Sequence, residues 1–418
     1  MGNICSFGQS KDTTSPPAKY DCEKFGEICG SLEEDIIHLD LTEMDAESTD
    51  SRTINPGRSV NLAYFSELRS ESMKILVSEL RQAETPHRLH GRSPRMRYAP
   101  PNLHNTTDMY EVEVSLEGDG NLQHRKKKCS KHPGHIDFIP VLEFGKQHLP
   151  EKYRNDLIVD LIQYLSSLTV CLKVCKISSK RPAPPYPPPN RQETMNQGCA
   201  ISGSGHVSAA FKYTEEDQNK CQCQECLSSG TPKTCFGKIF ILTAAHVVHD
   251  DIEAENTSCY FFFDDEDDDI EEVKKISGLK RVEICLNEDR CWMFGYTHDM
   301  SLVQKLHHLV EEYENLVKKV REKYYVEWFN AEETAHKLTV IVSHPHGCCK
   351  NVSIGEFKER NILTDDPDWT QYAYTTPTCP GSSGAPVFIL GKNGGFDYHH
   401  HSGSNFITGL NQSTYGLF

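Results

Sequence analysis

Ile241-Leu-Thr-Ala-Ala-His246-Val-Val248 and, far downstream, Pro380-Gly-Ser-Ser383-Gly-Ala-Pro386 are the two stretches that decide how this 418-residue chain is read. The first is an apolar, β-type run that ends on a histidine. The second sets a serine between glycines, which let the backbone turn sharply. Between them stands Thr297-His-Asp299-Met-Ser-Leu-Val303. A serine hydroxyl is a poor nucleophile until an imidazole takes its proton, and a carboxylate behind the ring fixes the tautomer and stabilises the imidazolium. His246, Asp299 and Ser383 are therefore the candidate base, carboxylate and nucleophile, with the amides of Gly381 and Ser383 as the candidate oxyanion hole.

Outward from these motifs, residues 196–418 read as short β-type runs separated by Gly and polar turns, at 205–210, 238–248, 259–263, 338–343 and 385–390. That pattern predicts an all-β sandwich or barrel. One interruption has helical spacing: Leu306, Leu309, Tyr313, Leu316, Val320 and Tyr324 predict an amphipathic helix inserted over about 305–325 and packed on the body. Upstream, the proline run of residues 181–195 resists helix and sheet and predicts a stiff linker at a domain boundary. Residues 61–180 read as a small α+β region of unassigned role. It has one helix near 62–80, a second after Pro150 carrying Tyr153, Leu157, Leu161, Ile162 and Leu165, and a strand at 169–177. Residues 1–60 are polar and acidic and predict a disordered tail.

Hydrophobic residues make up 37% of the chain and aromatic ones 9%, enough for a packed core. The net charge of -16 argues against a nucleic-acid binder, because phosphate backbones are held by Lys and Arg. Only Arg125-Lys-Lys-Lys128 with Lys131 is densely basic, and its expected role is a solvated loop. No segment matches a membrane-spanning helix or a secretory signal, so the expected location is intracellular, with the 17 cysteines as free thiols or metal ligands. Cys221, Cys223, Cys226 and Cys235 have a spacing that fits a structural zinc site or unliganded thiols, with disulfides as the lesser alternative. The opening Met-Gly-Asn-Ile-Cys-Ser matches an N-myristoylation pattern at Gly2 with Cys5 open to palmitoylation, which implies a tether on the cytoplasmic face of a membrane.

The chain order His, Asp, Ser and the spellings Leu-Thr-Ala-Ala-His and Gly-Ser-Ser-Gly-Ala-Pro resemble those of trypsin-like serine peptidases. Gly203-Ser-Gly205, Ser343-His-Pro-His-Gly347, Val352-Ser-Ile-Gly355 and Ile407-Thr-Gly-Leu-Asn411 resemble the HtrA-type and other intracellular or viral members. The resemblance implies an all-β, two-barrel chymotrypsin-like domain with a helical insertion, acting on protein or peptide substrates with no cofactor needed for catalysis. It also implies that Pro377 stands where trypsins hold the carboxylate that selects basic side chains, so a neutral side chain is expected before the scissile bond (P1). The strand at Gly409, Leu410 and Asn411 would pair with the substrate backbone. Val247, the lack of a cysteine after Cys379, and Ser382 in place of an aspartate fit a reducing compartment and activity without proteolytic activation. His399, His400 and His401 read as an exposed turn. The competing class is a catalytically inactive protease-like scaffold that recruits partners at a membrane; a third is a zinc-dependent interaction module.

Overall fold

The computed structural model describes residues 108–116, 122–181, 199–270, 272–286, 288–329, 337–362, 369–390 and 399–417. The expected tail over 1–60, the helix near 62–80, most of the proline run, and the motif at Gly2 and Cys5 lie outside these residues.

The described chain opens with two short strands, β1 (Asp108–Tyr110) and β2 (Glu113–Leu116), then helix α1 (Leu122–Lys127) and β3 (Phe138–Pro140). Helix α2 (Asp156–Leu168) follows, with Asn155 as its N-cap accepting from the Ile158 amide at 3.2 Å. Asn155 thus caps a helix that begins at Asp156, six residues after Pro150, which instead precedes a single 3-10 turn. Next come β4 (Thr169–Val174), β5 (Cys199–Tyr213), α3 (Gln224–Ser229), β6 (Phe236–Thr243), α4 (Asp251–Glu255) and β7 (Thr257–Phe261). β8 (Lys275–Ser277), β9 (Lys280–Cys285) and β10 (Arg290–Thr297) complete one antiparallel sheet, in the order β8-β7-β4-β5-β6-β10-β9 with β2 added on β5.

Helix α5 (Met300–Phe329) leads into the second sheet, made of β11 (Leu338–Ser343), β12 (Asn351–Ile362), β13 (Trp369–Tyr374), β14 (Val387–Ile389), β15 (His401–Asn405), β16 (Asn411–Ser413) and β17 (Gly416–Leu417). Its order is β1-β15-β16-β13-β12-β11-β14, with β17 on β13 and β3 on β12. The two sheets curl into two barrels with separate cores. Val170, Leu172, Ile239, Ile241, Val247 and Met293 are among the residues filling the first. Leu161, Leu165, Val340, Val342, Val352 and Phe388 are in the second.

α5 is the expected insertion, and its apolar stripe serves both cores. Leu302, Val303 and Leu306 join the first, while Leu316, Val317 and Val320 join the second, where the Tyr324 hydroxyl accepts from Asn155 Nδ2 at 2.7 Å. Each such side chain contributes roughly 1.5–3 kcal/mol by leaving water. The helix therefore works as a brace between the barrels.

The α+β region does not stand apart. β4 lies inside the first sheet between β5 and β7, β3 is a strand of the second, and α2 packs in the second core. Arg181, the first residue of the expected linker, is 1% exposed and bonded into the body. The helix over 156–168 and the strand over 169–174 form as their patterns predict, but their apolar faces are completed by partners far along the chain. Part of the basic run is paired, Arg125 with Glu113, Lys126 with Glu266 and Lys131 with Glu111, while Lys127 and Lys128 are exposed as expected of a solvated loop. Among the described residues no helix is long and apolar enough to cross a membrane.

Candidate active site

His246 follows β6, and its ring is fully buried. Its Nδ1 lies 2.7 and 2.9 Å from the two carboxylate oxygens of Asp289, and its own amide donates to the same carboxylate at 2.9 Å. The carboxylate behind the ring is therefore Asp289. Asp299, the residue expected there, is elsewhere: it pairs with Lys274 at 2.5 Å and accepts from the Leu302 amide at 3.0 Å at the start of α5. Its hydrogen bonds with Lys274, Ser301 and the Leu302 amide hold it well below the usual carboxylate range. The sequence around Asp299 is thus a helix start, an acidic residue followed by an amphipathic run.

Asp289 sits in the turn between β9 and β10 with φ 55, a left-handed conformation that Asp tolerates better than most residues. Its carbonyl accepts from the Ala245 amide at 3.1 Å, so the turn is stitched to the segment that carries His246. Asp289 also accepts from the Ser402 hydroxyl at 2.5 Å. The Ser402 carbonyl in turn accepts from Ser383 Oγ at 3.2 Å, which ties the three groups together around β15. His246 Nε2 is buried and has no hydrogen-bond partner among the described residues.

Ser383 occupies a tight turn with glycines on both sides. Gly381 has φ 96, and a Cβ there would lie 2.6 Å from the His344 carbonyl oxygen. Gly384 has φ 84, and a Cβ there would lie 2.2 Å from the Ser204 carbonyl oxygen. Only glycine satisfies both limits at these positions. Ser382 is held by the Ser343 hydroxyl at 3.0 Å.

One peptide carbonyl receives what the turn offers. The Glu111 carbonyl oxygen accepts from the Gly381 amide at 3.2 Å and from Ser383 Oγ at 2.7 Å. The Tyr110 ring packs on the His246 ring with centroids 4.6 Å apart. The Glu111 side chain is buried, 3.2 Å from His401 Nε2, and forms an ion pair with Lys131. Burial alone would raise its pKa, but His401 and Lys131 outweigh that and hold the carboxyl ionised, well below its ordinary range.

Several substrate-side expectations are corrected by this geometry. The strand that pairs with a backbone in the cleft is β15, at 403–405; Gly409 lies in the exposed hairpin turn after it and Leu410 at the edge of that turn. Asn411 does reach the site, with its Oδ1 3.2 Å from Lys131 Nζ. Pro377 is half-buried, and its neighbour Thr378 supplies a hydroxyl to Lys131 at 3.2 Å. His399, His400 and His401 are not an exposed turn. All three are buried, with ring nitrogens meeting Thr370, His206 and Tyr374.

Two groups of side chains bring potential metal-ligand atoms together. In the first, the ligand atoms of Cys221, Cys223, Cys226 and His298 all lie within 4.8 Å of one another. His298 Nε2 stands 3.3, 3.7 and 3.4 Å from the three sulfurs. Cys235, the expected fourth ligand, is exposed and outside the group. The end of β10 delivers His298 to the cysteine hairpin, a contact that thiol spacing does not reveal. The second group is Cys129, His135, His346 and Cys379.

Residues 200–400 match the family model "Lysyl endopeptidase, C-terminal domain". No curated protein sequence matches the chain. Among solved structures, the active form of the Rv3671c protease from M. tuberculosis is 13% identical, covering 62% of this chain and 82% of that one with a TM-score of 0.31. The HtrA-type protease AlgW, solved with a decapeptide, is 11% identical over 61% of this chain and 62% of that one, with a TM-score of 0.31. The sheet topology, the serine turn and the family match over residues 200–400 together give the chain the all-β two-barrel fold of the trypsin-like serine peptidases.

Proposed function

We propose that the protein is a serine endopeptidase that hydrolyses peptide bonds through an acyl-enzyme. Ser383 Oγ attacks the scissile carbonyl carbon while His246 Nε2 takes its proton, and Asp289 stabilises the imidazolium. The carbonyl oxygen, now negative, is met by the Gly381 and Ser383 amides. Collapse breaks the C–N bond, His246 passes the proton to the leaving amine, and water releases the acyl group by the same steps.

The observation that carries this reading is the convergence of the Gly381 amide and the Ser383 hydroxyl on one peptide carbonyl, with Ser402 linking the serine to the carboxylate behind His246. A fluorophosphonate probe tests it. The full chain is expected to take up one label, and Ser383→Ala to take up none. A wild-type chain that stays unlabelled would point to the scaffold reading instead.

Cys221, Cys223, Cys226 and His298 are proposed to hold a structural zinc ion. Zn–S and Zn–N bonds of about 2.3 and 2.0 Å at tetrahedral angles set ligand separations of roughly 3.5–3.8 Å, close to those found. The ion would fix a hairpin that has little core of its own. Acylation at Gly2 and Cys5 is proposed on the motif, as a tether to the cytoplasmic face of a membrane.

A further inference from the structure

We infer that the pocket for the residue before the scissile bond is built for glutamate, and that the chain is its own first substrate, cut between Glu111 and Val112. This rests on the peptidase reading above and deepens it.

The backbone of residues 108–116 lies in the cleft as a substrate would. Before the bond, β1 runs antiparallel to β15, with Met109 opposite Ser404 and Tyr110 opposite Gly403, and the Glu111 amide donates to the Ser402 carbonyl at 3.4 Å. Beyond the bond, β2 runs antiparallel to β5 of the other barrel, with Glu113 opposite Ser202. Strand addition on both sides holds a peptide in register by main-chain bonds alone. The register leaves the Glu111 carbonyl as the one that meets Ser383 and Gly381. Tyr110 covers His246, which keeps water from the imidazole.

The side chains add chemistry to that register. Glu111 is 6% exposed, and a buried carboxylate needs charged partners to offset its lost hydration. It has two, Lys131 and His401. Both are held independently: Lys131 Nζ also donates to Thr378 Oγ1 and Asn411 Oδ1, and His401 Nδ1 meets the Tyr374 hydroxyl at 2.8 Å. A neutral or cationic residue in this position would leave the Lys131 charge without its counterion. Glutamate before the bond thus departs from the neutral P1 residue that the resemblance implies.

In the step, the Ser383 Oγ–C bond forms as the Glu111 C–N bond breaks. The serine proton goes through His246 to the Val112 nitrogen, and one water then converts the ester to the Glu111 carboxylate and regenerates the serine. Lys131 stays with the fragment 112–418, so the pocket survives the cut. Residues 1–111 leave with Gly2 and Cys5, which would free the peptidase from its proposed tether.

Mass spectrometry of the purified full chain over time tests this. A fragment beginning at Val112 is expected from the wild type and not from Ser383→Ala. The near-isosteric Glu111→Gln should slow its appearance at least about tenfold, and Glu111→Lys at least about a hundredfold. In trans, a peptide with Tyr-Glu before the bond should be cut at least about a hundredfold faster than its Tyr-Lys counterpart. A chain that takes the fluorophosphonate at Ser383 but keeps the 111–112 bond, or that cuts the lysine peptide equally well, overturns the inference and spares the peptidase reading. Absence of labelling overturns both.

The second Cys and His group independently points to another structural zinc site. Cys129 Sγ lies 3.6 Å from Cys379 Sγ, which is 3.4 Å from His135 Nε2. His346 holds Glu113 Oε2 at 2.8 Å through Nδ1, while its Nε2 is buried with no partner among the described residues. A carboxylate on one ring nitrogen with the other left open is the usual outer shell of a metal-bound histidine. Both histidines have left-handed backbone, φ 49 and 57, a cost that a bound ion would offset. The ion would clip the segment bearing Lys131 to the loop before Ser383.

Metal analysis of the full chain is expected to find two zinc ions. Cys129→Ser and His135→Asn should each remove one, and Cys221→Ser the other. The ion that remains in each variant reports that the chain is still folded. A second group that holds no zinc, or a Cys129–Cys379 disulfide in unreduced peptide maps, overturns this site.

Discussion

Asp289→Asn is expected to lower kcat about 10⁴-fold with KM little changed, whereas Asp299→Ala should leave kcat within about threefold. Asn has the shape of Asp, so the contacts to the His246 amide and the Ser402 hydroxyl are largely kept. What changes is the proton. Facing an amide NH₂ in place of a carboxylate, Nδ1 becomes the acceptor and the hydrogen moves to Nε2, where it blocks removal of the serine proton. Developing charge on the ring also loses its counterion. Asp299 acts on the helix: removing its side chain takes away the cap on Leu302, at a cost of about 1 kcal/mol and a few degrees in Tm. Steady-state kinetics on one peptide substrate compares the two variants. A 10⁴-fold loss in Asp299→Ala, with Asp289→Asn active, would reverse the assignment.

The division between what could and could not be read from the sequence follows the range of the interactions. The strand leading to His246 and the tight turn at Ser383 were legible because their determinants are local: an apolar run before the ring, and glycines whose positive φ the serine turn requires. The helix over 305–325 was legible from its 3.6-residue stripe, which the two cores confirm. Asp289 was not, because an acidic residue in a hairpin turn is usually solvated, and only the pairing of β6 with β10 brings this one to the ring. His298 was hidden for the same reason. Polarity disguised His399 to His401, whose rings are satisfied by residues on other strands. The segment 108–116 carries no local signature, since its register is set by β15 and β5, about 290 and 90 residues away.

Arg181→Met is expected to destabilise the fold by about 3–5 kcal/mol, seen as a Tm lower by roughly 10 °C, although the residue falls in the stretch that reads as a linker. Its guanidinium and the Glu253 carboxylate are fully buried and joined by two bonds of 2.7 Å. The same guanidinium donates to the His246 and Val247 carbonyls at 2.8 and 2.9 Å, while Glu253 accepts from the Ser178 and His249 amides at 2.8 Å. Met fills the volume but leaves Glu253 charged and unpaired, and two carbonyls without donors. The double variant Arg181→Met with Glu253→Leu should recover part of the loss by removing the orphaned charge, and only part, because the Ser178 and His249 amides then lose their acceptor. Thermal melts of the two singles and the double give the coupling directly. Independent, additive effects would mean that the pair does not join residues 178–181 to the histidine loop. Because Arg181 fixes the His246 and Val247 carbonyls, the single variant should also lower kcat at temperatures where it remains folded.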